Sequence, residues 1–302
     1  MNDYPCIFND AGTVTRYDKL RHIAPHVLDA ICSLVCGYIV KSQSNGKPRI
    51  LDAGSGTGRF AIPIAMELSR REIAAEVCAT DQCRPMLNTL ADRWPITNLK
   101  VQLRCVEADI QQPLPSACAP SHVVFTISTF HILKQWQAGL DNLLIVLARN
   151  GFFIFIRENN QFMHQTEGFE KNSDFPYLNN TLSAFMRFYH AQRASVGEPY
   201  QPRTLRYSDM LPAIQYLRTR ELVEEDPRVP ESALSWQKPH TFTDILHCFR
   251  HRQMTTWGSD LSDHSRERIA DSLEQWIASN GINPQAEFML PSRLIPHVFR
   301  KN

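Results

Sequence analysis

The sequence has no apolar run long enough to cross a bilayer, no C-x-x-C pair, no excess of either charge and no internal repeat. Each absence narrows what the chain can do. Its longest apolar stretches, residues 27–40 and 143–156, fall short of the roughly 20 residues that a membrane helix needs, and the second is broken by Arg149, Asn150 and Gly151. The opening MNDYPCIFND carries acids and no basic region ahead of an apolar core, so a secretory signal is not expected. Lys plus Arg, 32 residues, nearly cancels Asp plus Glu, 31, which leaves no overall field to draw the protein to nucleic acid or an anionic membrane. The eight cysteines at 6, 32, 36, 78, 83, 105, 118 and 248 follow no framework and are expected to be reduced thiols of a cytoplasmic protein, most of them small core residues. The pairs His22/His26 and His247/His251 have the i, i+4 spacing of helical metal ligands, but neither sits in H-E-x-x-H or has a recognisable third ligand, so no metal is expected.

What is present is a soluble-type composition, 43% hydrophobic over 302 residues, and a regular alternation of element signals. Apolar residues at helical spacing over 17–40 predict a helix ahead of the short buried strand RILDAG. Helical spacing then returns at Phe60–Leu68, at Met86–Trp94 and at Trp136–Leu147. Strand signals lie between these at 75–81, 101–109, 121–128 and 151–158. Strands alternating with helices over 110 residues predict parallel βαβ units in a doubly wound, α/β sheet. After residue 160 the rhythm changes to polar, aromatic and irregular sequence. Helices are expected near 179–193, 208–218, 241–252 and 264–279, and SRLIPHVFRK is expected to return to the sheet's edge.

RILDAGSGTGRF places Gly54, Gly56 and Gly58 directly after the first strand, where small residues let backbone approach a ligand at the sheet's carboxyl end. A dinucleotide fingerprint needs its third glycine one place later, where Arg59 stands, so the pattern is G-x-G-x-G and a pyrophosphate ligand is disfavoured. The remaining candidate is a nucleoside without phosphates.

ILDAGSGTGRF resembles the first motif of the class I, seven-stranded S-adenosylmethionine-dependent methyltransferases. The resemblance covers residues 45–160 well and the rest in general layout. It implies a Rossmann-like, doubly wound, mostly parallel seven-stranded sheet with a helical lid inserted after strand five. It implies S-adenosylmethionine as cofactor, held by Asp52, Gly54, Ser55, Gly56, Thr57, Gly58, Asp81, Gln82, Asp109, Ile110 and Ser128. Within this set Asp81 matches the acid that grips both ribose hydroxyls, Asp109 the contact to the adenine amino group, and Ile110 and Gln82 the faces of the ring. A carboxylate suits two neighbouring hydroxyls because each charge-assisted bond is stronger than a neutral one. Asp52 is expected to order the loop and offset the ligand's positive charge, or else simply to cap the turn.

Three regions are expected: residues 1–45, a helical segment closing over the cofactor; 46–160, the binding core; and 161–302, a lid or substrate wall that also completes the sheet. At the fourth strand's tip the chain reads Ser128-Thr129-Phe130-His131 instead of the Asn/Asp-Pro-Pro-aromatic pattern of enzymes that methylate base amino groups. His131 is therefore the first candidate for a base or acceptor contact, against the plainer reading of a packed histidine. Tyr17, Arg21, Arg157, Tyr189 and Trp236 are the further acceptor-binding candidates, with Glu158, Phe185 and His240 beside them; each also has an ordinary packing or ion-pair explanation. The leading expectation is methyl transfer to the oxygen, nitrogen or carbon of a small organic acceptor. A tRNA or rRNA methyltransferase would need a basic surface, for which Arg187, Arg193, Arg203 and Arg206 offer a modest cluster. The third reading is a regulatory protein that binds the cofactor without transfer; it draws on SHVVF, where relatives commonly carry an acid.

Overall fold

The computed structural model describes residues 14, 23–42, 46–94, 100–162, 179–199, 205, 209–251, 257–258 and 260–302. Helix α1 (Pro25–Lys41) starts on a proline, whose missing N–H costs nothing in a first turn, and buries Val27, Ile31, Leu34 and Val35 on one face. The alternating core follows as β1 (Arg49–Ala53), α2 (Ala61–Arg70), β2 (Ala75–Asp81), α3 (Arg84–Arg93), β3 (Val101–Glu107), β4 (Ser121–Ile127), α4 (Trp136–Val146) and β5 (Leu147–Asn160). Then come α5 (Asn180–Ser195), α6 (Leu211–Arg218), β6 (Leu222–Glu225), β7 (Ser235–His240), α7 (Phe242–Arg250), α8 (Asp263–Ser279) and β8 (Phe288–Lys301). No described helix is long and apolar enough to cross a membrane.

The strands form one sheet in the order β3-β2-β1-β4-β5-β8-β6, with β7 also paired to β8. Strands β1 to β5 are parallel, and β8 enters antiparallel beside β5. The order reverses between β1 and β4, which opens a crevice at their carboxyl ends, the usual ligand position of doubly wound folds. The mostly parallel, Rossmann-like arrangement is the one expected, with one strand more than seven.

Two departures matter for the site. SWQKPH, which carries the acceptor-binding candidates Trp236 and His240 and for which no strand is expected, is the strand β7; its Pro239 is tolerable because this is an edge strand. And β8 is interior, not marginal. Its 14 residues pair with β5 on one side, and on the other with β6 near its end and β7 near its start.

Alternation along β5 sends Phe152, Ile154 and Ile156 to a core shared with α1 and α2, and Phe153 and Phe155 to a core shared with α4 and α6. A third core joins α5, α7 and α8 through Phe185, Tyr189, Phe249, Trp257 and Leu273, and reaches the sheet through Phe162, Phe288 and Leu290. Phe162 follows the carboxyl end of β5, and β8 runs antiparallel, so this helical layer stands at the crevice end of the sheet beside β5. The stretch 161–302 thus divides its work: α5, α7 and α8 build the layer, while α6, β6 and β8 complete the core.

Candidate functional site

Hydroxyl groups fasten β1's tip to its neighbours. Thr80 donates to the Asp52 carbonyl at 3.2 Å, while Thr126 and Thr129 both donate to the Ala53 carbonyl, at 3.0 and 3.3 Å. The Gly54 and Ser55 N–H groups donate to the Thr80 carbonyl at 2.8 and 2.9 Å, so the loop leaves β1 pinned against β2. No sequence pattern marked these threonines; their only signal is a buried threonine at the end of each strand flanking β1.

The three glycines all take positive φ, between +53° and +82°, but they make room for different things. A Cβ at Gly54 would fall 2.6 Å from Thr129 Cγ2, and one at Gly58 would fall 2.9 Å from Leu90 Cγ. Those two positions are small because the protein itself fills the space. At Gly56 a Cβ would meet nothing within 4 Å, so open space lies there.

Asp81 faces that opening. Its Oδ2 accepts the Gly56 N–H at 2.9 Å and its Oδ1 accepts the Cys83 N–H at 2.9 Å. Burial raises its pKa, and the backbone N–H donors of Cys83, Gly56 and Gln82 pull the other way. Three N–H donors leave about one of the carboxylate's four acceptor positions open. Asp52 is buried at the tip of β1 and is held well above the usual carboxylate range, first by burial and then by Asp81 nearby. Two buried acids, one raised further by the other, mark a place where added positive charge would be favourable. Ser55 adds a buried hydroxyl with no hydrogen-bond partner.

Asp109 lies just beyond β3. Its carboxylate accepts the Gln111 backbone N–H at 2.9 Å and the Gln111 side-chain amide at 3.1 and 3.3 Å. Gln111 Oε1 in turn accepts the Gln135 N–H at 2.9 Å, tying the loops after β3 and β4 together. The sequence reading missed Gln111. Ile110 turns into the α4 core, 4% exposed, and its carbonyl accepts Asn142 Nδ2 at 3.0 Å.

At the tip of β4 Ser128 takes a left-handed φ of +54°, a strained conformation for a residue with a side chain, and its hydroxyl donates to Glu158 Oε2 at 3.4 Å. Glu158, 7% exposed, also accepts Asn160 Nδ2 at 3.0 Å. His131 is buried, in the single turn Phe130–Ile132 that follows Thr129.

The acceptor-binding candidates do not converge. Tyr17 and Arg21 lie outside the described residues. Arg157 is on the opposite sheet face from Glu158 and donates to His297 Nε2 at 3.4 Å, with His297 kept neutral by a pKa of about 4 that burial sets. Tyr189 and Phe185 are interior residues of the helical layer and form no wall; the Tyr189 hydroxyl is bonded by Arg193 at 3.2 Å. Trp236 is separate from them, in the core on the α1 side of the sheet. Arg193, which the nucleic-acid reading places in a basic cluster, is 2% exposed and bonded to Asp260 at 2.7 Å. Arg203 and Arg206 lie outside the described residues. His122, in SHVVF, accepts the Arg49 N–H on Nδ1 at 3.0 Å and so joins the starts of β1 and β4.

Residues 50–151 match the family model of a methyltransferase domain. No curated protein sequence matches the chain. Among solved structures the chain is similar to the YcgJ protein of Bacillus subtilis, at 14% identity over 89% of this chain and 98% of that one, with a TM-score of 0.49. It is also similar to the plantazolicin methyltransferase BpumL in complex with SAH, at 14% identity over 98% and 93% of the two chains, TM-score 0.45. Magnesium protoporphyrin IX methyltransferase of Synechocystis PCC 6803, with bound SAM, is 18% identical over 50% and 72%, TM-score 0.36.

Proposed function

We propose that this chain, whose residues 50–151 match the model of a methyltransferase domain, is a class I, S-adenosylmethionine-dependent enzyme that transfers the methyl group to a small organic acceptor. The observation that carries the reading is the open space at Gly56 with the Asp81 carboxylate on its N–H, beside a buried Asp52 that gains from a cation. These residues fit the cofactor: Asp81 for its ribose hydroxyls, Asp109 for its adenine amino group, Ser55 and Asp52 for the charged amino-acid tail. Gln82, Thr57 and Gly58 border them. Bound there, S-adenosylmethionine supplies an electrophilic methyl on a sulfonium that leaves readily.

The protein's task is then to hold the acceptor in line, a contribution that positioning can carry up to roughly 7–11 kcal/mol. His131 and Glu158 flank the β4 tip as the groups able to take the acceptor's proton; a hydroxyl acceptor gains most from such a base. The helical layer of α5, α7 and α8 rises beside that tip and favours an enclosed, small acceptor over an extended one. Of the four arginines of the nucleic-acid reading, only Arg187 is a described, exposed residue.

Incubation with methyl-labelled S-adenosylmethionine and a size-fractionated cell lysate tests this. Label in the low-molecular-weight fraction is expected. Label in the RNA fraction instead, with salt-sensitive RNA binding, would establish the nucleic-acid reading. Cofactor binding with label in neither fraction would favour the regulatory one.

A further inference from the structure

A line of polar side chains crosses the sheet between two apolar cores. Strand register places Asn160 of β5 opposite Ser292 of β8, and Ser292 opposite Trp236 of β7. Side chains at paired positions on neighbouring strands share a face, so the three lie in one row. On one side of the row are Ile156, Leu234 and Leu294 of the α1 core. On the other are Leu290, Phe162 and Phe288 of the helical layer, where His240 stacks on Phe162 at 5.4 Å. Through Asn160 and Glu158 the row continues to Ser128 at the β4 tip, the edge of the cofactor crevice.

The far end of the row is unsatisfied. Trp236 Nε1 and Ser292 Oγ are buried, their residues 6% and 2% exposed, and neither has a hydrogen-bond partner. A buried donor left unpaired is costly, and cores ordinarily avoid one, let alone two side by side. Apolar residues would pack as well between two apolar cores. Two buried donors at paired positions on neighbouring strands offer a recognition site for an oxygen acceptor. At the near end sits a carboxylate, Glu158, which accepts hydrogen bonds and repels an anion.

We propose that the row is the acceptor subsite: it takes a neutral molecule whose nucleophilic O–H or N–H donates to Glu158 and whose carbonyl-type oxygen accepts from Trp236 and Ser292. Glu158 lies two residues along β5 from the row, and successive strands lie about 4.8 Å apart, so the two ends of that molecule are separated diagonally by ~8–12 Å. The inference rests on the methyltransferase reading for the identity of the crevice at Ser128. It adds the polarity and length of the acceptor, and it assigns Trp236 and Ser292 as specificity-determining residues.

Full-length protein carrying ¹⁵N-labelled tryptophan and saturated with S-adenosylhomocysteine would be titrated with neutral hydroxy-amides and amino-amides of that span. The Trp236 indole resonance, identified by its loss in Trp236→Phe, is expected to move downfield. Ser292→Ala should weaken probe binding about five- to tenfold with the heat of S-adenosylhomocysteine binding unchanged, and Glu158→Gln should weaken probe binding by a similar factor. Ser292→Ala should also leave the melting temperature unchanged or raise it, because it deletes an unmet donor. A resonance that no probe moves while S-adenosylhomocysteine binds normally would overturn the proposal, as would a marked loss of thermal stability in Ser292→Ala. Failure of S-adenosylhomocysteine itself to bind would instead remove the methyltransferase reading beneath it.

Discussion

The side chain of Thr129 occupies the space that a Cβ at position 54 would need, and its hydroxyl bonds the carbonyl of Ala53 just before that position. One threonine thereby fixes both where β1 stops and why the next residue is a glycine. Gly54→Ala should cost more than the ~1–2 kcal/mol of a left-handed alanine alone, because the clash adds to the backbone term. Thr129→Ala in the same chain should restore part of the loss, as a coupling energy in a denaturation double-mutant cycle. Purely additive effects would show that the two side chains do not compete.

Asp52 predicts a trade between folding and binding. In the unfolded chain its carboxyl ionises near ~3.9, whereas burial and Asp81 raise it in the native state. Between those two values the folded protein holds the extra proton, so the stability of the ligand-free protein falls as pH rises. Asp52→Asn should flatten that fall as pH rises above about 4, raise the melting temperature at neutral pH, and weaken S-adenosylmethionine binding. A lower melting temperature would return Asp52 to the role of a turn cap.

Asp81→Ala should weaken S-adenosylmethionine binding by about 1.5–3 kcal/mol, the usual worth of hydrogen bonds to a charged group. The same change frees the Gly56 and Cys83 N–H groups, so Asp81→Asn, which keeps one acceptor oxygen, is the control. Calorimetry giving unchanged affinity in both variants would refute the ribose assignment.

For His131→Ala, label transfer into the small-molecule fraction should drop by roughly 10²- to 10⁴-fold, the range of a general base, while the cofactor dissociation constant stays within about twofold. Transfer at the parent rate would make His131 a packing residue and leave Glu158 as the proton acceptor at the β4 tip.

The alternating half of this fold was legible because local rules and tertiary demands agree there. Apolar runs such as ILDAG and VVFTI are what a strand buried on both faces requires, and helical spacing separates them. Edge strand β7 was not legible, since Pro239 and the single buried Trp236 give it neither a clean alternation nor an apolar run. Within the site, the loop glycines and Asp81 stand in a linear pattern and could be read. Thr129 and Ser292 could not, because what lies against them, Ala53 and Gly54 for one and Asn160 and Trp236 for the other, is distant in sequence; Gln111 could not, because its bond to Gln135 depends on how the loops after β3 and β4 meet.

The glycine-rich loop carries one more implication. Gly54 and Gly58 answer to Thr129 and Leu90, both parts of the folded chain, and Gly56 alone opens onto solvent-sized space. Selection for folding by itself would thus hold Gly54 and Gly58 through both space and backbone, and Gly56 through its positive φ alone, in a descendant that had abandoned chemistry. In such lineages the middle position is the informative one: a bulky replacement there would betray an extinct enzyme whose architecture still looks intact.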